Sequence, residues 1–461
     1  MIAKTNQWPN PRDCDELSPH QQQTLAVSLS RRVGVFAGSP GTGKTFCAAA
    51  IIRRLVAMHG EDAIAICAPT GKAAVRCTSS LRANGINGIT ATTIHRLLGV
   101  CRNGHDGQGW GFMFDENSPL PQRFVIVDES SMLDTDLSAS LFKACAPQTH
   151  LMLCGDTGQL PPVGSGAVLR DVAASGRVPF GELTEIRRNS GMIVRGCKSI
   201  KEGKRFDAPT KIDLEAGDNW RHFETYSPSQ TIGQLRTALT SLPSRFDPVW
   251  DVQVLVAVNE KSPLSRKDLN AMLQDLLNPT GQRIERVRFR VGDKVICTQN
   301  TFLPLLKTAT GRSEDAKEFV ANGELGKVLA VDPKKMTVEF ASPPRRCIVP
   351  LSRAADGDEE SKSSASGASV GGFDLGYAIT THKAQGSQAP IVITLIDDYG
   401  GAFRVASREW HYTALSRAES LCVTIGKWAT FQQQCQRIVL RDRKTFLRER
   451  IQKLIAAEGA A

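Results

Sequence analysis

The sequence predicts an α/β protein with two open parallel-sheet domains in tandem, and three observations support this prediction. A glycine-rich loop, 38–45, stands between the apolar segment Val33–Ala37 and Phe46–Met58, which is Ala- and Ile-rich with helical spacing. That is the strand–loop–helix order of an α/β unit. The alternation of strands and helices resumes after Asn189, where Val252–Val258 is the clearest buried strand. Finally, a chain of 461 residues is too long for one hydrophobic core and suits two large domains.

The loop matches the phosphate-binding pattern G-x-x-x-x-G-K-[ST] at every defining position, and its residues are Gly38, Ser39, Pro40, Gly41, Thr42, Gly43, Lys44 and Thr45. In such a loop the backbone N–H groups and the positive end of the following helix face the phosphates. Lys44 reaches the terminal phosphates, and the Thr45 hydroxyl holds Mg²⁺. The loop therefore predicts binding of ATP with Mg²⁺, and all its residues are candidate nucleotide contacts.

A second apolar run, Phe124–Val127, ends in two adjacent carboxylates, Asp128 and Glu129. A buried parallel strand with an aspartate at its carboxyl end can hold Mg²⁺, and the neighbouring glutamate can deprotonate an attacking water. An apolar run followed by an acid is common, so its meaning depends on the phosphate-binding loop. Together the two elements indicate a nucleotide hydrolase rather than a kinase, and Lys44, Asp128 and Glu129 are the catalytic candidates.

Six further blocks follow in order, and they are Ala68–Ala74 (APTGKAA), Thr92–Gly99 (TTIHRLLG), Leu153–Val163 (LCGDTGQLPPV), Leu183–Asn189 (LTEIRRN), Ala378–Ser387 (AITTHKAQGS) and Tyr412–Ala418 (YTALSRA). With the first two elements, they resemble a superfamily 1 helicase of the RecD-like, 5′-to-3′ branch. The resemblance rests on the ordered series of eight blocks and not on any single one. It implies two RecA-like domains that clamp ATP at their interface.

Further site residues follow from the resemblance, position by position. Gln21 resembles the adenine-reading glutamine upstream of the loop, although it could instead be one polar residue of a Gln-rich run. Gln159 resembles the sensor of the γ-phosphate. Arg188 and Arg417 resemble the two arginine fingers, whose forked guanidinium groups neutralise charge on the transferring phosphoryl group. Because Arg187 precedes Arg188, that assignment depends on family register alone, and either arginine could be a solvated surface side chain.

One position departs from the family pattern. The block that contains Gly386 usually ends with a glutamate that can bond the ribose, and this chain has Gln388 there. We expect both residues to contact the nucleotide. A glutamine accepts a hydrogen bond but lacks the charge, so the departure leaves sugar discrimination open.

Binding to a nucleic acid strand is indicated by charge and by the placement of polar residues. The formal net charge is +10, which suits a chain that neutralises phosphates, although acidic proteins and membranes also attract basic proteins. The predicted DNA-binding residues lie at strand ends or helix starts, where they can grip a sugar-phosphate backbone without reading sequence; they are Thr70, Lys72, Thr93, His95, Thr381, His382 and Lys383. Either histidine could instead be structural.

Between Gly99 and Arg123 the chain becomes Gly-rich and contains an alternating run, Trp110–Phe114. The alternation predicts a strand in a β-hairpin. In RecD-like helicases the corresponding insertion is a pin that splits the duplex, so Trp110 and Phe112 are further candidate DNA contacts. The alternative is a hairpin whose aromatic residues only pack on the main domain.

Short strands separated by turn residues fill 286–352 and predict a small barrel, whose position resembles the SH3-like insertion of RecD-like helicases. An acidic, Ser- and Gly-rich run follows that lacks the apolar surface needed to fold. The complete division is domain 1A over 1–190 with the pin at about 100–122, domain 2A over 191–285 and 373–461, the SH3-like insertion 2B over 286–352, and a flexible loop over 353–372.

The remaining features limit the class of protein. Met1–Glu16 contains no apolar signal segment, and no apolar stretch is long enough to cross a bilayer. No C-x-x-C pair occurs among the 12 cysteines, so a zinc or iron–sulfur site is not expected. The chain starts just before the adenine-reading block, so we expect no extra N-terminal domain. Arg441–Ala457 is predicted as a basic, one-sidedly apolar helix that docks on a domain or binds a partner or membrane surface.

The expected protein is an ATP-dependent DNA helicase, a monomeric motor in the cytoplasm or nucleoid that binds single-stranded DNA and its junctions with duplex. Partners in a repair or replication complex are possible. Two alternatives stay open. One is a nucleic-acid-stimulated ATPase that remodels RNA or protein–nucleic acid complexes without unwinding. The other is a non-motor binding module switched by ATP, which has no need of a full hydrolytic set such as Glu129, Gln159 and Arg417.

Overall fold

The computed structural model describes residues 7–102, 110–185, 191–282, 284, 287–306, 317–341, 344–351, 372–443 and 445–458. The chain divides into two compact units. The first comprises Met1–Glu202 and Ile438–Ala461, and the second comprises Gly203–Arg437. Within the described ranges no helix combines the length and the apolar character that crossing a membrane requires.

The described residues of the first unit form the strands β1 (Val33–Gly38), β2 (Ile64–Ala68), β3 (Thr92–Thr93), β4 (Val100–Arg102), β5 (Trp110–Phe112), β6 (Phe124–Val127), β7 (His150–Gly155) and β8 (Phe180–Leu183). Its helices before the second unit are α1 (Pro19–Ser28), α2 (Lys44–His59), α3 (Gly71–Ala83), α4 (Ile94–Leu98), α5 (Thr135–Ala144), α6 (Val168–Ala174) and α7 (Met192–Glu202). Short 3₁₀ turns lie at Pro11–Asp13, Glu61–Ala63 and Ser130–Met132.

Six of these strands form one sheet in the order β3-β2-β6-β7-β1-β8, and every neighbouring pair is parallel. Both faces are covered, as a parallel sheet requires. Along β6, for example, Phe124 and Ile126 join one apolar core while Val125 and Val127 join the core on the opposite face. Because all six strands run in one direction, the segments that follow them emerge at the same edge of the sheet.

Within its described ranges the second unit forms the strands β9 (Trp220–Glu224), β10 (Val252–Val256), β11 (Lys294–Cys297), β12 (Thr301–Pro304), β13 (Lys317–Val320), β14 (Leu325–Val331), β15 (Lys335–Ala341), β16 (Pro344–Pro350), β17 (Phe373–Leu375), β18 (Ala378–Thr380), β19 (Ala389–Leu395) and β20 (Ala418–Gly426). Its helices are α8 (Pro228–Thr240), α9 (Arg266–Leu277), α10 (Thr381–Ala384), α11 (Gly400–Val405), α12 (Arg408–Leu415) and α13 (Trp428–Gln436). The C-terminal helices α14 (Val439–Asp442) and α15 (Leu447–Glu458) belong to the first unit.

Five strands of the second unit form a parallel sheet in the order β18-β10-β19-β20-β9. A separate antiparallel sheet has the order β16-β15-β14-β11-β17. Its strand Phe373–Leu375 pairs with Lys294–Cys297 and so belongs to this sheet. It lies outside 286–352, the range expected for the small insertion. The strands therefore support a separate β-rich element, while its closure into an SH3-like barrel stays a prediction. The expected flexible loop lies outside the described residues except for Gly372.

The first unit is larger than the expected range 1–190, because α7 belongs to it. Lys201 in this helix donates to Glu182 of β8 at 2.6 Å. The C-terminal segment 438–461, which we assigned to the second domain, also belongs to the first unit. Leu447 and Ile451 of α15 pack against the first unit's core. The two compact units therefore differ at these two places from the domains predicted from sequence, because long-range packing rather than local pattern decides which segments lie together. The division into helicase domains stays a prediction.

Polar contacts fix the C-terminal segment where it crosses the first unit. Arg443 donates to the carbonyl oxygens of Gly164 and Gly166 at 2.6 and 2.8 Å. Gln452 donates to Ser175 O at 3.1 Å, and Arg170 of α6 donates to Leu440 O. The basic helix expected at this end is thus a docked element of the first unit.

We expect Leu447→Ala to destabilise the first unit by about 1–2 kcal/mol, because it removes half-buried methyl groups from a packed contact. The thermal unfolding midpoint should fall by about 2–4 °C. Leu454→Ala is the matched control, since this leucine of the same helix is 67% exposed. Equal unfolding midpoints for the two variants would contradict the docking of α15.

Candidate functional site

The phosphate-binding loop connects β1 to α2. Gly43 has a φ of 89°, and a Cβ there would lie 2.9 Å from Gln21 Nε2, so only glycine fits without strain. The Thr42 hydroxyl donates to Ser39 O at 2.7 Å. Lys44, the first residue of the helix, donates to Gly38 O and, at 3.4 Å, to Ser39 O. The lysine ammonium therefore lies over the loop itself, where bound phosphates would replace these carbonyl partners.

Gln21, the candidate adenine reader, is buried in the first turn of α1. Its side-chain oxygen accepts from Ser18 N at 3.1 Å, and the Ser18 hydroxyl accepts from Gln21 N at 3.3 Å, so the two residues form a capping box. The amide nitrogen points to Thr42 O at 3.5 Å. Gln21 thus starts the helix and also lies against the phosphate-binding loop.

Asp128 and Glu129 emerge from β6, which is separated from β1 by β7 alone. Glu129 N donates to Asp128 Oδ1 at 2.9 Å. Burial raises the pKa of Asp128 above its usual value, and the charge of Glu129 adds to the shift. Lys44 and Arg76 act in the opposite direction, so Asp128 senses both the loop lysine and the adjacent carboxylate.

The backbone of Glu129 is left-handed, with φ 51° and ψ 39°. A non-glycine residue in this region costs on the order of 1 kcal/mol and needs support from its surroundings. Here the turn Ser130–Met132 follows directly, and Met132 N donates to Glu129 O at 3.0 Å. Strain held at a carboxylate beside the phosphate-binding loop is the kind of local irregularity that functional sites carry.

Arg76 is a site residue that we did not single out from the sequence. It lies in α3 and its Nη1 is 3.3 Å from Glu129 Oε1. The Glu129 side chain is 13% exposed and the Arg76 side chain is 35% exposed. Arg76 stands two residues after the block APTGKAA, so no motif marks it, but an arginine four residues after Lys72 on one helix would have been a usable signal.

Gln159 lies in the segment that follows β7. Asp156 starts a tight turn there, accepting from Gly158 N at 3.0 Å through its carboxylate and from Gln159 N at 3.2 Å through its carbonyl. The Gln159 side chain is buried, and its Oε1 has no hydrogen-bond partner within the described ranges. Gln159, Asp156 and Ser131 line one small cavity of the first unit. The expected sensor is therefore beside the turn that follows Glu129.

The candidate DNA contacts of the first unit start helices at the same sheet edge. Thr70 caps α3 by accepting from Ala73 N, and Thr93 caps α4 by accepting from Arg96 N. Lys72 is half-buried in the first turn of α3, whereas His95 is exposed in α4. Both threonine hydroxyls therefore have a structural task in this state, and His95 is the most accessible of the four.

The hairpin is formed by β4 and β5, with Val100 paired to Phe112 and Arg102 to Trp110. Phe112 is half-buried against the first unit's core, and its ring centroid lies 6.0 Å from that of His95. This favours the packing alternative for Phe112. The side chain of Trp110 lies outside the described part of the structure.

In the second unit, the block 381–383 follows β18 at the carboxyl edge of the parallel sheet. Thr381 is fully buried and its hydroxyl has no hydrogen-bond partner within the described ranges. His382 and Lys383 are half-buried. Burial and then the Arg266 guanidinium lower the pKa of Lys383. Thr381 starts α10 as expected, its side chain is buried in this state, and its contact with DNA stays a prediction.

Arg417 and Gln388 lie together at the opposite, amino edge of that sheet, directly before the paired strands β20 and β19. Arg417 is 4% exposed. Its guanidinium donates to Thr413 O at 3.2 Å, to the Ser416 hydroxyl at 3.0 Å and to Ser387 O at 3.4 Å. The preceding Gly386 has a φ of 71°. The structure thus brings the second unit's candidate nucleotide residues together. Arg188 lies outside the described residues.

Comparisons with known proteins identify the family of the chain. Residues 21–165 match a family model described as an AAA domain, and residues 375–425 match one described as a UvrD-like helicase C-terminal domain. The chain is 31% identical over 454 residues to the ATP-dependent RecD2 DNA helicase of Deinococcus radiodurans; the alignment covers 97% of this chain and 54% of that protein. It is 28% identical over 463 residues to the RecBCD enzyme subunit RecD of Mycolicibacterium smegmatis, covering 94% of this chain and 74% of the relative.

A solved structure shares the fold. It is a Pif1 helicase from Bacteroides in complex with ADP-AlF3 and single-stranded DNA, with a TM-score of 0.51, 17% identity, and coverage of 96% of this chain and 98% of that one. At this identity the likeness establishes the fold alone. It agrees with a mixed α/β architecture built on two parallel sheets.

Proposed function

Since the chain belongs to the RecD-like family of helicases, we propose that it is an ATP-dependent DNA helicase that moves 5′ to 3′ on single-stranded DNA. One observation carries the proposal. The first unit's sheet delivers the phosphate-binding loop, Asp128 and Glu129, Gln159, and the helix starts at Thr70 and Thr93 to one edge. Groups that hydrolyse ATP and groups that can grip a strand therefore share a rigid support. The chain spans about half, 54%, of the length of the D. radiodurans relative.

The residues of the first unit divide the chemistry among them. Lys44 exchanges its loop carbonyl partners for the terminal phosphates of ATP and neutralises their charge. Glu129 accepts the proton of the attacking water, because its carboxylate lies at the end of β6 beside that loop. Gln159 contacts the γ-phosphate and transmits its presence to the segment after β7. Each hydrolysis step then changes the grip on the strand.

Asp128 and Thr45 fit a Mg²⁺ ion. Both offer oxygen ligands, which Mg²⁺ prefers. Burial raises the pKa of Asp128 and the charge of Glu129 adds to the shift, and a divalent cation would offset both by stabilising the carboxylate charge. When bound, the ion neutralises charge on the phosphates. Asp128 and Thr45 would hold it.

Strand separation on matched duplexes with a 5′ or a 3′ single-stranded tail tests the proposal, with ATP and Mg²⁺ present and Glu129→Gln as the inactive control. Unwinding of only the 5′-tailed duplex is the expected result. If ATP were hydrolysed on single strands while neither duplex opened, the remodelling ATPase would be the correct function. If nucleotide bound without hydrolysis, the ATP-switched module would be.

We further propose that the hairpin of β4 and β5 is a pin that separates the strands. Phe112 packs on the first unit, so Trp110, which starts β5 and pairs with Arg102 at the end of the hairpin away from Phe112, is the better candidate to meet the last base pair. Trp110→Ala should lower the unwinding rate at least about fivefold, the factor that corresponds to loss of one base–aromatic stack. It should change single-strand-stimulated ATP hydrolysis by less than about twofold. Phe112→Ala is the comparison, and it should lower both activities because it loosens the hairpin base. Equal losses in both activities for Trp110→Ala would contradict the pin.

The small antiparallel sheet of the second unit is proposed to correspond to the SH3-like insertion that closes over the single strand. The M. smegmatis relative is by name a subunit of the RecBCD enzyme. A role in DNA repair or recombination, either as a monomeric motor or with partner subunits, is therefore part of the proposal. Sedimentation of the purified chain with and without a tailed duplex distinguishes a monomer from an oligomer.

A further inference from the structure

We propose that Arg76 restrains Glu129 until single-stranded DNA binds at the start of α3, so that the Arg76–Glu129 ion pair couples DNA binding to ATP hydrolysis. The inference rests on the proposed function, because it assigns a regulatory task to a neighbour of the proposed base. It concerns the first unit alone. Neither the sequence motifs nor the comparisons assign a role to this arginine.

The geometry places Arg76 between two sites. On one side its guanidinium lies 3.3 Å from the Glu129 carboxylate. On the other side it shares α3 with Lys72, and residues four apart lie on the same helix face one turn from each other. Thr70 caps the same helix, so a strand that contacts its start comes within one to two turns of Arg76. With 35% of its side chain exposed, the guanidinium is accessible to a phosphate.

The ion pair opposes the chemistry required of Glu129. A general base must form a hydrogen bond with the water whose proton it takes. While the guanidinium holds Oε1, that oxygen is turned toward α3 and its charge is partly neutralised. The left-handed backbone of Glu129 limits the other positions that its side chain can take. Release of Arg76 therefore frees the carboxylate for the attacking water.

A DNA phosphate is a suitable competitor for the guanidinium. The forked donors of arginine match a phosphate as well as they match a carboxylate. Lys72 lies one turn away on the helix, but its ammonium is buried in this state. The partly exposed guanidinium of Arg76 is therefore the group that the backbone phosphate reaches. Binding of the strand thus replaces the carboxylate partner of Arg76 with a phosphate, with no change in the fold. Hydrolysis is then slower without DNA than with it.

Steady-state ATP hydrolysis by Arg76→Gln, with and without saturating oligo-dT, tests the restraint. Without DNA its rate should rise about threefold to fivefold above wild type, the factor expected for loss of a partly exposed ion pair. With DNA its rate should stay within about twofold of wild type, so that the stimulation ratio falls. Arg82→Ala, an exposed arginine on the same helix, is the matched control and should behave as wild type.

Two further measurements separate a restraint from a structural role. Arg76→Lys keeps the charge but loses the fork, so its DNA-free rate should lie between those of wild type and Arg76→Gln. Salt should raise the DNA-free rate of wild type relative to that of Arg76→Gln, because screening weakens the pair. An unchanged or lower DNA-free rate in both Arg76 variants would overturn the restraint. Absence of ATP hydrolysis in the wild type, with or without DNA, would instead overturn the proposed function.

Discussion

Replacing Glu129 with glutamine is expected to lower single-strand-stimulated ATP hydrolysis by about 100- to 10,000-fold, the contribution typical of a positioned general base. The amide has nearly the same shape as the carboxylate and can still hydrogen-bond a water molecule. It cannot take the proton of that water, so the chemical step fails while the site keeps its form. The left-handed backbone at this position should also be preserved, because the side chain changes by only one atom.

The Glu129→Gln substitution should lower the turnover number for ATP hydrolysis and leave ATP binding nearly unchanged. Affinity for ATP, measured with a fluorescent analogue, should stay within about threefold of wild type, because Lys44 and the loop N–H groups hold the phosphates. Glu61→Gln is the matched control, an exposed glutamate in the same unit whose loss should leave hydrolysis unchanged. A loss of less than about tenfold in Glu129→Gln would show that another group serves as the base.

Arg417→Lys should lower hydrolysis by about 1,000-fold or more, since an arginine finger contributes on the order of 10³ to 10⁵ to the rate. A lysine keeps one positive charge but cannot present two parallel N–H donors to the phosphoryl oxygens. In the structure the guanidinium is buried and engaged with Ser416, Thr413 and Ser387. To act as an arginine finger, Arg417 would exchange these hydrogen bonds for bonds to the nucleotide.

Because Arg417 is buried, its replacement could act through stability alone, and Arg408→Lys provides the comparison. Arg408 begins α12 in the same unit, and its Nε donates to Cys435 O at 2.9 Å. We expect both variants to lower the thermal unfolding midpoint by a few degrees, about 2–4 °C. Only the Arg417 variant should lose hydrolysis. Similar hydrolysis by the two variants would assign Arg417 a structural role.

Site features that depend on a short stretch of chain could be predicted from the sequence. The phosphate-binding loop and the Asp128–Glu129 pair each follow directly from a strand, and a motif specifies the strand, the turn and the reactive residue together. The parallel sheet then brings them to one edge, as confirmed by the strand order of the first unit. The fold class and the family could also be predicted, because they follow from a series of such short motifs.

Features that depend on distant parts of the chain could not be predicted. Arg76 reaches Glu129 across 53 residues of sequence, and no motif marks it. Its spacing from Lys72 indicates a shared helix face but not the carboxylate that it meets. Thr381 stands in a recognised block, yet the packing of the second unit buries it completely. The strand Phe373–Leu375 was expected in the parallel domain, but hydrogen bonding to Lys294–Cys297 places it in the small antiparallel sheet. In each of these cases, contacts between segments far apart in the sequence determine the position of the residue or strand.

The discontinuous first unit has a consequence for biosynthesis. Its surface around α6 is completed by residues 438–458, which the ribosome makes only after the whole of the second unit. The second unit is one continuous stretch, Gly203–Arg437, so it can fold as soon as it emerges. The N-terminal unit, although translated first, must wait for those last contacts. Nascent chains halted before residue 438 should therefore carry a finished second unit beside a first unit whose apolar face around α6 is still open to chaperones.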